Sequence, residues 1–527
     1  MRGDYPMISN IFQSPAGGLV SRRSLFMLPA MAAVPNLGAQ IASALLPAGL
    51  VGDGATLNTR AIQSAIDRCS TGGGGTVLLP AGRYLTGTLH LRDHVTLMLE
   101  PGAVLLGSKR LDDYPALHDA VSSYTSNYTD RCLVRADGAT DIAITGRGTI
   151  DGNGPAFAGE YKVRPYLMRF VGCRNIHISG ITLQNPAMWT QHYLECEDVH
   201  IDGIRVHSRR PRVNNDGIDI DSCRRVRIAD CDVDAGDDAI VLKATTTSPC
   251  RDVVVTNCIL SSLCNAFKLG TESNGGFDSI VFSNSTIYDT QLAGIALETV
   301  DGGDLRRVSI SNIVMRNTRF PIFLRLGNRA RPISENSPRP GIASFSGVMI
   351  RGVIAEASSP FGCLIAGLPD HPVADVMLED VQLTSPGGGD PLPADHQVPE
   401  RPEAYPEAGM FGPLPASGIY CRHVRAFSLN NVSLRTLTPD SRPLLCADDA
   451  DDLTISSLSG PGSASALIDF QNVRHARIRN TRTAGNSQAL LKMSGSQTQD
   501  IAVTSDEAET PPILSGPDVG AKAWRLR

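Results

Sequence analysis

The sequence predicts an all-β protein wound as a parallel β-helix, and three observations carry that expectation. One short phrase returns at a nearly constant interval, each copy is too short to bury its own apolar side, and the composition favours turns over long helices. The phrase is an apolar-x-apolar strand, a small or amide residue, then a second short apolar strand, as in IHISGITL, VHIDGIRV, VRIADCDV, VVVTNCIL, IVFSNSTI, VSISNIVM, VMIRGVIA and VMLEDVQL. Its second apolar anchors are Ile178, Ile201, Ile228, Val255, Phe282, Ile310, Ile350 and Leu378, at steps of 23, 27, 27, 27, 28, 40 and 28 residues. Units of that length with period-2 alternation bury their apolar side only by stacking, which fits one coil of a parallel β-helix. Leucine-rich repeats share the length but need a Leu/Asn consensus that is absent, and propeller blades need about 40 to 45 residues.

Composition agrees with this and narrows the function. The 527 residues include 50 Gly and 34 Pro, with 42% hydrophobic, 19% charged and 5% aromatic residues. Disorder and collagen are excluded by the plentiful Val, Ile and Leu and by the lack of a strict Gly period. Lys plus Arg number 48 and Asp plus Glu 54, a net charge of −6, which argues against a nucleic-acid partner. The 12 Cys are too sparse for a disulfide scaffold and show no paired metal spacing; Cys223, Cys231, Cys258 and Cys264 read as small buried hydrophobes.

Along the chain, residues 21–26 (Ser-Arg-Arg-Ser-Leu-Phe, with Arg22 and Arg23) precede an apolar, Ala-rich stretch to Leu46 without an acidic residue. This resembles a twin-arginine export signal, so residues 1–46 are set apart from the fold and the protein is expected in the periplasm or outside the cell. Residues 47–110 are read as an N-terminal cap with the first strands. Apolar positions Leu57, Ala61, Ile62, Ala65 and Ile66 predict a short capping helix over 56–67, and TVLLP, YLTGTLHL and VTLML follow as strands. The β-helix is expected over 111–500, with insertions at 327–340 and 385–415 that decorate a binding face, and 501–527 as a tail.

Superimposing the coils aligns GIDID (217–221), AIVLK (239–243), AFKLG (266–270), GIALE (294–298) and PIFLR (321–325). Alternation points Ile218/Ile220, Ile240/Leu242, Phe267/Leu269, Ile295/Leu297 and Ile322/Leu324 inward. Asp219/Asp221, Val241/Lys243, Lys268/Gly270, Ala296/Glu298 and Phe323/Arg325 then point outward. Coils repeat at about 4.8 Å, so Asp216 and Asp238 become neighbours with Asp237 beside them on an exposed rung. Crowded carboxylates raise at least one pKa, which supplies the protonated acid and ionised base that hydrolysis needs.

Asn214-Asn215-Asp216-Gly217 followed by Gly236-Asp237-Asp238 resembles the Asn-x-Asp-Gly and Gly-Asp-Asp signatures of family 28 glycoside hydrolases, the polygalacturonase family. The similarity extends to GDGATLNTRAIQSAID, GGGGTVLLPAGRYLTG and NPAMWTQHYLECEDVHI, and through the coils to about residue 330. The resemblance implies a right-handed β-helix, metal-free and cofactor-free inverting hydrolysis of a pectic carbohydrate, Asp237 as general acid, and Asp216 with Asp238 activating water.

Two family motifs are altered. Cys264-Asn265-Ala266 stands where the family carries Gly-His-Gly, and Ala296-Leu297-Glu298 where it carries Arg-Ile-Lys. Losing both cations and gaining Glu298 disfavours an acidic sugar there, although Lys243, Lys268 and Arg325 are placed to hold one a step away. Asn214, Asn265 and Glu272, the last as a ligand or second acid, complete the substrate-contact set. Trp189 is nominated for a cleft wall with Tyr193, Phe323 and Tyr405. The expectation is a monomeric exported pectin-related glycosidase distinct from a standard homogalacturonan endo-hydrolase. A lyase or epimerase on the same fold, with calcium on the Asp cluster, and a non-catalytic sugar-binding β-helix stand as alternatives.

Overall fold

The computed structural model describes residues 44–116, 121, 123–209, 214–393, 396–463, 466–483, 485, 487–504 and 512–526. The twin-arginine segment around Arg22 and Arg23 lies outside the described residues. The named strands pair in parallel, each with the strand one coil later, and wind into a right-handed parallel β-helix. The eight anchors that set the repeat form one continuous in-register stack, Ile178 on Ile201, Ile228, Val255, Phe282, Ile310, Ile350 and Leu378. All are buried, so the repeat length is the circumference of the coil and its apolar beats are the core. The 40-residue step is absorbed outside the stack, because Ile310 still pairs directly with Ile350.

The small or amide residue in the middle of each phrase turns the corner between two strands. Asp230, Asn257, Asn284, Asn312, Asp380 and Asn431 there have φ between 51° and 56°, and Gly180 and Gly203 occupy the same place at 71° and 59°. Left-handed backbone is costly for ordinary L-residues and least so for Gly, Asn and Asp. The corner amides also bond along the stack, Asn312 Nδ2 donating to Asn284 Oδ1 at 3.0 Å.

Among the described residues one α-helix is present, Thr59–Thr71, and it buries Ile62, Ala65, Ile66 and Cys69 against the Gly75–Leu79, Leu89–His90 and Val95–Leu99 strands. It begins three residues later than its apolar spacing suggests, because Thr56 and Leu57 belong to the Asp53–Leu57 strand, which pairs with Gly82–Thr86. Winding continues past residue 501, where Ile513–Ser515 and Trp524–Leu526 still pair with preceding coils.

The row of outward residues that matters for function runs across many coils in register. It passes from His192 through Asp219, Val241, Lys268, Ala296, Phe323, Leu364, Tyr420 and Cys446 to Asp469 and Lys492. In the middle of that row the long C-terminal insertion docks. Val398, Ala408, Phe411 and Leu414 pack on Ala296, Phe323, Leu364 and Tyr420 as a second apolar cluster outside the coil.

Candidate active site

The inward set sits where alternation places it: Ile218, Ile220, Ile240, Leu242, Phe267, Leu269, Ile295, Leu297, Ile322 and Leu324 all belong to the central core. Their alternates therefore point away from the core, but they do not face open water. Asp219, Val241, Ala296 and Asp221 are fully buried, and Asp216 and Asp238 are each 3% exposed. The exposed rung expected from sequence is corrected to a floor roofed by inserted segments, with Asp237 the more accessible of the three carboxylates.

Two groups of charges lie on this floor. In the first, the Lys243 ammonium stands 3.4 Å from Glu272, 3.6 Å from Asp219 and 3.8 Å from Asp216, with the Trp189 ring 4.6 Å above it. In the second, Lys268 lies 3.1 Å from Asp238 and 3.8 Å from Glu298, and its Nζ reaches the Tyr405 hydroxyl at 3.5 Å. Asp238 Oδ1 also accepts from the Asn265 amide N–H at 3.1 Å and from its carboxamide at 2.8 Å, while Asn265 Oδ1 accepts the Ala293 N–H. Asn265 thus clamps Asp238, as an amide with both donor and acceptor can.

Asp237 bridges the groups. Its two oxygens accept the backbone N–H of Asn214 and of Asp238 at 2.8 and 2.9 Å, and its carboxylate lies within 4.8 Å of those of Asp238 and the Cys264 thiol. Burial and then the Asp238 charge raise its pKa, and the Asn214 bond only partly opposes them. Asp216 and Asp219 are raised well above the usual range, chiefly by burial. Asp216 Oδ1 and both Asp219 oxygens have no hydrogen-bond partner among the described residues. Sharing one ammonium, these two titrate as a pair. The floor therefore holds carboxyls kept protonated beside others bonded as acceptors, which is what acid/base cleavage of a glycosidic bond requires.

Several residues take places other than those expected. Glu272 lies within a bulge of the Phe267–Ser273 strand. Pairing runs Leu242 to Leu269 and resumes at Ala244 to Ser273, so two extra residues swing Glu272 back over Lys243. This also removes Gly270 from the rung of Lys243. Burial would raise the Glu272 pKa, but Lys243, Arg331 and Arg329 outweigh it and hold it well below the carboxylate range, so Glu272 is a counter-ion and not a second acid. Arg325 is fully engaged: its guanidinium donates to the carbonyls of Gly367, Glu400 and Arg401 and stacks on Phe411, so it anchors the insertion and is not placed to hold sugar. Trp189 is 2% exposed and covers Lys243, Tyr193 is a core residue against Phe170, and Phe323 lies under the insertion, leaving Tyr405, 52% exposed, as the wall aromatic. Cys264 is corrected from core hydrophobe to a partly exposed thiol at the carboxylates; the other 11 Cys are buried.

Residues missed by sequence reasoning are Asp219, His192 with Asp221, and Arg329 with Arg331. His192 bridges Arg169 and Asp221 at 2.7 and 3.1 Å. Burial opposes it, but hydrogen bonds from His192 and Thr245 hold the Asp221 carboxyl low. Asp219 was legible as an outward alternate of Ile218. The two arginines reach back from the first insertion, Arg329 to Asp301 and Arg331 to Glu272, a contact only folding reveals.

A parallel β-helix whose outward sheet gathers paired carboxyls and ammonium groups in this way places an acid and a base for hydrolysis on one floor. The family model for glycosyl hydrolases family 28 matches residues 69–399, and the chain belongs to that family, making it an O-glycosidase of polygalacturonase-like type. It is 29% identical over 367 residues to a probable polygalacturonase of Vitis vinifera, covering 65% of this chain and 74% of that one. It is 26% identical over 330 residues to an exo-poly-alpha-D-galacturonosidase of Dickeya chrysanthemi, covering 51% and 54%. Among solved structures, the hyperthermoactive exopolygalacturonase of Thermotoga maritima superposes with a TM-score of 0.56 at 23% identity over 64% of this chain and 85% of that one. The polygalacturonase of Erwinia carotovora gives 0.52 at 20% over 63% and 92%; both likenesses speak to the fold.

Proposed function

We propose that the protein is an exported, inverting pectic glycosidase whose cleavage site takes an uncharged sugar in at least one position. The observation that carries this reading is the charge balance of the floor. Four cations, Lys243, Lys268, Arg329 and Arg331, face seven carboxyl groups, Asp216, Asp219, Asp237, Asp238, Glu272, Glu298 and Asp301, and each cation already lies within 4 Å of at least one of them. A galacturonate seated there finds, among the described residues, every ammonium and guanidinium of the floor already held by a carboxyl, so its own carboxylate gains no unpaired cation.

In this reading Asp237, its carboxyl raised and partly accessible, protonates the leaving oxygen. Its nearest approach to Asp238 is within 4.8 Å, short of the roughly 6.5 to 9.5 Å that leaves room for a water between acid and base. The attacking water is therefore assigned to the Asp216 side. There the proton shared with Asp219 leaves one carboxylate able to accept, and Asp238 orients the water from its clamp on Asn265. Export rests on the Arg22-Arg23 segment and its apolar, acid-free continuation. Incubating purified protein with rhamnogalacturonan, branched pectic and homogalacturonan oligosaccharides and following the released anomer by NMR tests this. The expected result is an inverted product from a substrate that presents a neutral sugar, and a retained anomer overturns the mechanism.

A further inference from the structure

We infer that the C-terminal coils carry a second, non-catalytic saccharide-binding groove for uncharged sugars, separated from the cleavage site by the long insertion. The inference rests on the pectic-hydrolase reading for the identity of the polymer. A cavity of about 1070 Å³ opens over the outward row beyond the point where Phe411 and Leu414 dock. That volume slightly exceeds the roughly 300 to 1,000 Å³ of a small-molecule cleft and leaves room for several sugar units. Its floor is the direct continuation of the catalytic row: Tyr420 leads to Asp469 and Lys492, and the neighbouring row runs Arg422, Asp448, Gln471 and Ser494, all in register. Its wall is the far side of the insertion that presents Tyr405 to Lys268, with Pro391, Pro393 and His396 facing the groove.

The lining identifies the class of ligand. Arg422 pairs with Asp448 at 3.1 Å, Lys492 with Asp469 at 3.1 Å, His423 with Asp449 at 2.7 Å, and Arg474 with Asp451 at 3.8 Å. Of the four Lys and Arg side chains on the lining only Arg425 makes no ion pair among the described residues, and five carboxylates, Asp370, Asp448, Asp449, Asp451 and Asp469, offset them, so the groove offers no net attraction to a phosphate or a uronate. It offers rows of fixed acceptors and N–H donors, with the amide of Gln471 and the hydroxyl of Ser494 between them, and these suit a chain of hydroxyl groups. Because the rows that carry cleavage and groove are continuous, one branched polymer can engage both, and binding at two linked places raises the effective concentration of substrate at the first.

The test uses the full chain. Calorimetric titration of the Asp237→Asn protein with neutral galactan and arabinan oligosaccharides, and with oligogalacturonate, should show a binding event for a neutral oligosaccharide, separate from that at the cleavage site, that Gln471→Ala weakens at least fivefold and Ser494→Trp abolishes. In the otherwise unaltered enzyme the same two substitutions should raise KM for branched polymer at least fivefold and leave kcat on a short oligosaccharide unchanged. Neutral binding indifferent to both substitutions, or binding confined to oligogalacturonate, overturns the groove. Absence of turnover by the unsubstituted protein on every pectic substrate, with groove binding intact, would instead sink the hydrolase reading.

Discussion

Asp237 is the residue on which turnover should depend most steeply. Replacing it with Asn removes the acidic proton and leaves one oxygen to accept from a single backbone N–H, at nearly unchanged side-chain size, so kcat should fall by about 10² to 10⁴ while substrate affinity measured by calorimetry stays within a few fold. A loss below tenfold would move the acid elsewhere. Glu298 makes a different prediction, about pH. Burial, only partly offset by Lys268, pushes its carboxyl to about 8. Because the folded value lies above the unfolded one, its stabilisation is fully present below the ordinary carboxylate range and is lost as pH rises through about 8, at about 1.4 kcal/mol per unit for one proton. Thermal melts of Glu298→Gln should match the parent near pH 4 and exceed it in Tm at pH 8. Equal melting across that window would contradict the protonated state of Glu298.

At the scale of elements, the corners and the insertions divide what can be read in a sequence from what cannot. The Asn and Asp corners announce themselves, since a left-handed residue between two apolar strands restricts the choice of side chain. Asn312→Val forces a β-branched side chain into φ 56° and should cost about 1 to 2 kcal/mol more than Asn312→Gly, which denaturant melts can resolve. The five aligned rungs and their inward residues were legible for the same reason: a slip of one residue would turn Ile218, Leu242 and Leu269 to the wrong side. Burial of the outward face was not legible, because Tyr405, Arg329 and Arg331 arrive from loops whose course no periodicity encodes. Arg325 illustrates the error. Its position on the row was right, but the carbonyls of Glu400 and Arg401 that consume its donors lie 75 and 76 residues away.

For the whole molecule, stacking makes each coil answer chiefly to its two neighbours. Leu242→Ala, in the coil between the Ile218–Asp221 and Phe267–Ser273 strands, should cost about 2 to 5 kcal/mol. The loss of amide protection in hydrogen exchange should be confined to those three coils and should not spread to the Ala489–Ser494 strand. Uniform loosening would show that the solenoid unfolds as one cooperative block. The acidic pair Asp237-Asp238 could be located from sequence because it belongs to this regular lattice. The charge balance that shapes its chemistry could not, since it depends on which distant cations the lattice and its insertions deliver to the same place.

The two surplus residues before Ser273 set a limit on redesign. Averaging this coil toward its neighbours would remove them and straighten the ladder. The excision would also take away the acid that neutralises Lys243, leaving an ammonium to compete with substrate for Asp216. Regularity and reactivity pull in opposite directions at that one strand, so a sturdier consensus version of this protein should be the less active one.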